Sequence, residues 1–198
     1  MKITHIDRFQ DLAEPNANEI AVLLAKSFAK DPLMLATLGK SRWNKIARDY
    51  FKTQIGYSDT LISLSQRNRT VGILLASSPE AQIRLIRNYL DRTKTAILLG
   101  KKSRKIFDIS TDISEALPKY PHWYINQLAV DPLFQSKGIA RTMLESASTE
   151  IFGKDVFVDC EKGLAPFYDK FGFEILKEFE REGMILMIKK GNQTIRPS

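Results

Sequence analysis

One cysteine, Cys160, and two histidines, His5 and His122, are all the thiols and imidazoles in 198 residues. A single thiol excludes an internal disulfide framework. Two histidines far apart in sequence offer no spacing for a structural zinc site, so no metal is expected. No apolar run approaches the ~20 residues that a membrane-spanning helix needs. The opening Met1-Lys2-Ile3-Thr4-His5 also lacks the apolar stretch of a signal peptide. These absences give the expectation of a cytoplasmic protein with a buried free thiol. Internal repeats, low-complexity tracts and linkers are missing too. A chain of this length fills one core, so a single domain is expected over 1–190, with a flexible tail over 191–198.

What the sequence does have is an excess of positive charge: 30 Lys+Arg against 23 Asp+Glu, a net +7. That balance favours anionic ligands, a nucleic acid or a small phosphorylated cofactor, without choosing between them. The cluster Lys101, Lys102, Arg104 and Lys105 reads as a solvated helix end rather than a nucleic-acid patch.

Hydrophobic spacing sets out the elements. Lys2–Phe9 alternates loosely, as an opening strand does. Ile20, Leu23, Leu24 and Phe28 predict an amphipathic helix over 17–29, which Asp31-Pro32 interrupts. Trp43, Ile46, Ala47, Tyr50 and Phe51 predict a second helix running to Gly56. Thr60–Ser65 and Thr70–Ala76 read as a hairpin turned at Gln66-Arg67-Asn68-Arg69. Residues 80–116 look helical, broken near Gly100 and ended by Pro118 and Pro121. A strand over His122–Val130 follows, then a helix over Ser136–Phe152 with Ile139, Met143, Ala147 and Ile151 four apart. Asp155–Asp159 is a short strand and Leu164–Lys170 a short helix closed by Gly172. Glu174–Phe179 and Met184–Lys189 are final strands joined at Arg181-Glu182-Gly183. Hairpins mixed with strand–helix–strand crossovers predict an α/β fold: a mixed sheet of about six to seven strands with helices on both faces.

One junction carries chemistry. Behind the strand ending at Val130 comes Asp131-Pro132-Leu133-Phe134, then Gln135-Ser136-Lys137-Gly138-Ile139-Ala140-Arg141 leading into a helix. The first turn of a helix leaves N–H groups unpaired and carries partial positive charge. Gly138 and Ala140 let a phosphate approach those amides, and Gln135, Lys137 and Arg141 add donors. With no carboxylate cluster beside it, the site suits a pyrophosphate without metal. Taken alone, a Gly-x-Ala helix start is more often a tight-packing turn.

The segment LAVDPLFQSKGIARTMLE resembles the cofactor-binding motif of the GNAT superfamily of N-acetyltransferases, Gln/Arg-x-x-Gly-x-Gly/Ala. Ala165-Pro166-Phe167-Tyr168-Asp169-Lys170-Phe171-Gly172-Phe173 resembles that family's second signature, A-x-x-x-Y-x-x-x-G-F, one residue shorter. The tyrosine stands four before the glycine in both. The resemblance spans Trp123 to about Ile188. It implies a splayed V between two central parallel strands, with acetyl-CoA lying in the cleft as co-substrate. Leu128, Ala129 and Val130 would offer backbone hydrogen bonds to the pantetheine arm and the acyl carbonyl. Residues 135–141, including Ser136 and Ile139, would hold the pyrophosphate. Glu161-Lys162 departs from the asparagine that many members carry there.

The resemblance also places Tyr168 where the family keeps its general acid. A phenol with a pKa near 10 stays protonated at neutral pH and can donate to a departing thiolate; the alternative is packing beside Phe167 and Phe171. Where some members hold a glutamate base, this chain has Tyr124, and His122–Val130 contains no carboxylate. Asn126 shares the face of Tyr124 and is a candidate to bind substrate or hold a water. His122, following Pro121 at the strand's start, reads as a surface residue before it reads as a base. Cys160 and the two tryptophans read as core. The expected function is acetyl transfer to a primary amine of a small molecule or peptide, by a monomer or homodimer. The alternatives are a catalytically silent acyl-CoA-binding domain and a basic nucleic-acid-binding module. The first two helices and residues 80–121 would set the acceptor.

Overall fold

A computed structural model describes residues 2–6, 14–67, 69–80, 93–148, 153–180 and 183–191. One seven-stranded sheet organises them, in the order β1-β2-β3-β4-β5-β7-β6. Its strands are β1 (Lys2–Ile6), β2 (Thr60–Gln66), β3 (Arg69–Ser77), β4 (Trp123–Val130), β5 (Val156–Glu161), β6 (Glu174–Phe179) and β7 (Met184–Lys189). Every neighbouring pair is antiparallel except β4 and β5, which run parallel. The helices are α1 (Glu14–Ser27), α2 (Pro32–Leu38), α3 (Trp43–Ile55), α4 (Ser103–Ala116), α5 (Ile139–Ser148) and α6 (Ala165–Asp169). Residues 93–99 are also helical and lead through a turn at Gly100–Lys102 into α4. No described helix is long and apolar enough to cross a membrane.

The apolar stripes explain the layering. Ile20, Leu23 and Leu24 of α1 join Trp43, Ile46, Tyr50 and Phe51 of α3 over Leu61, Ile73, Leu75 and Ala129 of the sheet. On the opposite face, Ile139, Met143, Leu144 and Ala147 of α5 cover Ile62, Leu64, Val71 and Leu74. Burying each of the larger side chains removes roughly 1.5–3 kcal/mol of apolar exposure. Because β3 is covered from both sides, it is apolar along nearly its whole length rather than alternating. Gly72 brings α5 close: a Cβ there would stand 2.6 Å from Ile139 Cγ2 and 3.0 Å from Met143 Cε.

Three expectations shift. Asp31-Pro32 interrupts one helix by starting another. Asp31 Oδ1 accepts the Met34 N–H at 2.7 Å and Pro32 sits at the first position, an N-cap arrangement that founds α2. The helix expected from Ser136 begins at Ile139 instead, because Ser136 (φ 60°) and Gly138 (φ 78°) are left-handed and cannot lie within it. Its expected end, 149–152, lies outside the described residues, as do 81–92 of the expected helical region and Arg181-Glu182 of the last turn. Gly191, the first residue of the expected tail, donates its N–H to Asp155 Oδ1 at 2.9 Å and packs on the Lys154 backbone. Residues 192–198 lie outside the described set.

Candidate active site

Strands β4 and β5 pair over only three residues, Trp123 with Val156, Tyr124 with Phe157 and Ile125 with Val158. Beyond Ile125 they part, although β4 continues to Val130 and β5 to Glu161. The separation starts at a β-bulge. Opposite the consecutive Leu75 and Ala76 of β3, strand β4 places Gln127 and Ile125, so Asn126 is the inserted residue. An extra residue bends a strand and increases its twist. The result is a V whose β4 side, from Asn126 to Val130, has no strand partner on the side facing β5.

At the open end of the V lies the loop. Asp131, 3% exposed, anchors it. Its Oδ1 accepts the Leu133 N–H at 3.0 Å, and its Oδ2 pairs with Arg69 Nη2 at 2.5 Å. Gln135, Ser136, Lys137 and Gly138 are exposed, and nothing lies within 4 Å of where a Gly138 Cβ would be. The helical ladder begins with Thr142 N–H to Gly138 C=O at 2.9 Å, so the amides of Ile139, Ala140 and Arg141 precede it. The Ile139 side chain is 5% exposed and packs in the core, leaving only its backbone for a ligand. Lys137 Nζ donates to Leu133 O at 3.1 Å and stands 4.9 Å from the Phe134 ring centre. The Val130 carbonyl already accepts from Ser27 Oγ at 2.8 Å and Gln135 Nε2 at 3.3 Å, which ties α1 and the loop to the end of β4.

Two sets of side chains meet the strand gap from opposite faces. Tyr168 comes from the α5 side, 5% exposed, with Phe167 and Phe173 edge-on to its ring. Burial pushes its phenol well above the ordinary value, helped by Cys160 and Asp159 nearby. On the other face a cavity of about 540 Å³ opens between α2, α3, α4 and the gap, and Tyr124, Asn126 and Asp159 reach into it. The Tyr124 hydroxyl donates to Asp159 Oδ1. Burial raises the Asp159 carboxyl above its usual range, against the lowering effect of that hydrogen bond. Asn126 Nδ2 donates to Ser58 Oγ at 2.9 Å and Ser77 Oγ at 2.6 Å, so Oδ1 is the atom it can present.

Residues 111–189 match the family model of the acetyltransferase (GNAT) domain. That segment, about two-fifths of the chain, is similar to the GNAT acetyltransferase domain. No curated protein sequence matches it. Solved structures share the fold at low identity. One is described as histone acetyltransferase HPA2 and related acetyltransferase from Corynebacterium glutamicum. It is 17% identical with a TM-score of 0.72, covering 98% of this chain and 99% of its own. Arylalkylamine N-acetyltransferase 2 from Aedes aegypti is 15% identical with a TM-score of 0.62, covering 97% and 100%. The ribosomal-protein-S18-alanine N-acetyltransferase from Escherichia coli is 12% identical with a TM-score of 0.57, covering 100% and 99%.

Leu128–Val130, the 135–141 loop, Asn126 and Tyr168 all gather around the V. His122 does not behave as a surface residue. It is 3% exposed, its Nδ1 lies 2.8 Å from Tyr120 O, and its ring meets Phe157 edge-on at 4.7 Å. Burial lowers its pKa, so it is neutral at physiological pH. Cys160 is a buried core thiol, pushed up to about 12 chiefly by that burial. The carboxylate at the gap, Asp159, is on β5 and not on β4, where the family resemblance would put a base; it stands two residues past Phe157, the register partner of Tyr124. The alternation Asp155, Phe157, Asp159 was the available signal.

Proposed function

We propose that this domain transfers acetyl from acetyl-CoA directly to a primary amine of a small molecule or peptide. The observation that carries the reading is the parting of β4 and β5 after Ile125, with the open loop at one end and the cavity behind. The co-substrate supplies an activated thioester. Unpaired backbone of β4 near Leu128 and Ala129 orients it by strand-like hydrogen bonds. The amides of Ile139, Ala140 and Arg141, with Lys137 and Gln135, neutralise the pyrophosphate at the α5 N-terminus. Gly138 keeps the approach open.

The amine reaches the gap from the cavity face and Tyr168 stands on the other. As the amine nitrogen forms its bond to the acyl carbon and the C–S bond breaks, Tyr168 gives its proton to the departing sulfur; the nitrogen sheds its surplus proton to solvent, and solvent returns one to the phenol. Its raised pKa keeps the phenol protonated until then. Asn126, fixed by two serines, orients the acceptor through Oδ1.

The test pairs a thermal shift with acetyl-CoA and an acetyl-CoA consumption screen over amine classes. Stabilisation together with amine-dependent release of free thiol is expected. Stabilisation without turnover of any amine would mark a silent binding domain. A salt-sensitive DNA shift with no acetyl-CoA stabilisation would mark a nucleic-acid module. Either outcome contradicts the reading.

A further inference from the structure

The cavity behind the gap is unusual in its charge. In a chain with 30 Lys+Arg, no described residue lining it is a lysine or arginine. One carboxylate, Asp159, is its single acidic group among those residues. His122 also lines it, held neutral by burial. Aliphatic wall comes from Leu33 and Met34 of α2 and Ile106, Ile109 and Ile113 of α4. Aromatic faces come from Tyr50, Tyr57, Phe107 and Tyr124. The polar remainder is uncharged, including Gln54, Ser110, Ser114 and Asn126.

Each part of that lining sorts acceptors by charge. An ammonium entering toward the gap finds Asp159 Oδ2 and Asn126 Oδ1, because Tyr124 already occupies Asp159 Oδ1. A second ammonium on the same molecule finds no second carboxylate, and burying an unpaired charge is costly. A phosphate or carboxylate finds no described cation and meets Asp159 as a like charge. An apolar body, in contrast, gains from burial against the α2 and α4 side chains, and an aromatic one gains further from ring contacts.

We infer that the acceptor is a primary monoamine with an apolar body, its ammonium held by Asp159 and its body lodged between α2 and α4. Asp159 is thereby a substrate-binding residue, and Tyr124 positions it. This inference rests on the acetyl-transfer reading and narrows its acceptor. Paired by Asp159, the amine sits beside the group that can take its proton before attack; the proton then passes from the carboxyl to solvent.

The experiment measures kcat/KM with saturating acetyl-CoA for 2-phenylethylamine, hexylamine, spermidine, an aminoglycoside and glutamate. The two monoamines are expected to exceed the others by about tenfold or more, the scale set by one unpaired buried charge. Asp159→Asn should raise KM for 2-phenylethylamine at least about tenfold while acetyl-CoA still stabilises the protein, since charge-assisted hydrogen bonds are the stronger kind. Ser114→Glu, which adds a carboxylate to the lining from exposed α4 surface, should shift preference toward spermidine. Spermidine, the aminoglycoside or glutamate as best substrate of the wild type would overturn the inference and leave acetyl transfer standing. An unchanged KM in Asp159→Asn would overturn it as well. Loss of acetyl-CoA stabilisation in the wild type would instead strike the underlying reading.

Discussion

The Tyr124 hydroxyl on β4 donates a hydrogen bond to Asp159 on β5, joining the two strands at the point where their backbones stop pairing. A buried carboxylate thus stands where the backbone V opens. Its energetic sign follows from its raised pKa. A carboxyl raised in the folded state adds stability below its ordinary pKa of about 3.9, and that contribution is lost as pH rises through the folded value. At neutral pH the charged form is therefore a cost. Asp159→Asn should match or exceed the wild-type Tm at pH 7, with the difference closing as pH falls toward the ordinary carboxyl range. Thermal denaturation across pH checks this. A large loss of Tm at pH 7 would show that Asp159 is structural.

Tyr168→Phe keeps the ring that packs against Phe167 and Phe173 and removes only the hydroxyl. Stability and acetyl-CoA affinity should hold, while kcat falls by roughly 10²–10⁴, the range of a lost acid–base group. Steady-state kinetics with a good amine decide it. Full kcat in the variant would remove Tyr168 from the chemistry.

Gly138 is left-handed at φ 78°, with open space where a Cβ would stand. Gly138→Ala should therefore cost about 1–2 kcal/mol through backbone strain alone. Distortion of the amides that follow it should weaken acetyl-CoA binding by about tenfold, which is 1.4 kcal/mol. Calorimetric titration measures the second effect and thermal denaturation the first.

Gly72 tests packing apart from chemistry. A valine there would drive into Ile139 at the start of α5 and Met143 one turn further on. A loss of about 1–3 kcal/mol is expected from overpacking. Because Ile139 leads the turn whose amides face the ligand, acetyl-CoA affinity should fall along with stability.

The elements of the C-terminal half were legible because their signals are local. Glu174–Phe179 and Met184–Lys189 alternate or run apolar between clear turns, and both strands have those bounds in the structure. The loop and Tyr168 were legible through motif spacing. α2 was not, since Asp31-Pro32 reads equally as the end of one helix or the cap of another, and only packing decides. Ser136 misled the start of α5 because nothing in a serine announces a left-handed backbone. Asp159 was hidden for a different reason. Its importance comes from a parallel register and a bulge at Asn126, both set by strand pairing across more than 30 residues of sequence, which local spacing does not encode. The uncharged cavity is likewise a product of α2, α3 and α4 converging on β4.

The central claim is that free backbone amides of the V and the α5 N-terminus receive acetyl-CoA. Amide hydrogen exchange with and without acetyl-CoA measures those amides directly. Slowed exchange at 128–130 and at 139–141 on ligand binding is the expected result. Binding that leaves both stretches unchanged, with protection elsewhere, would contradict it.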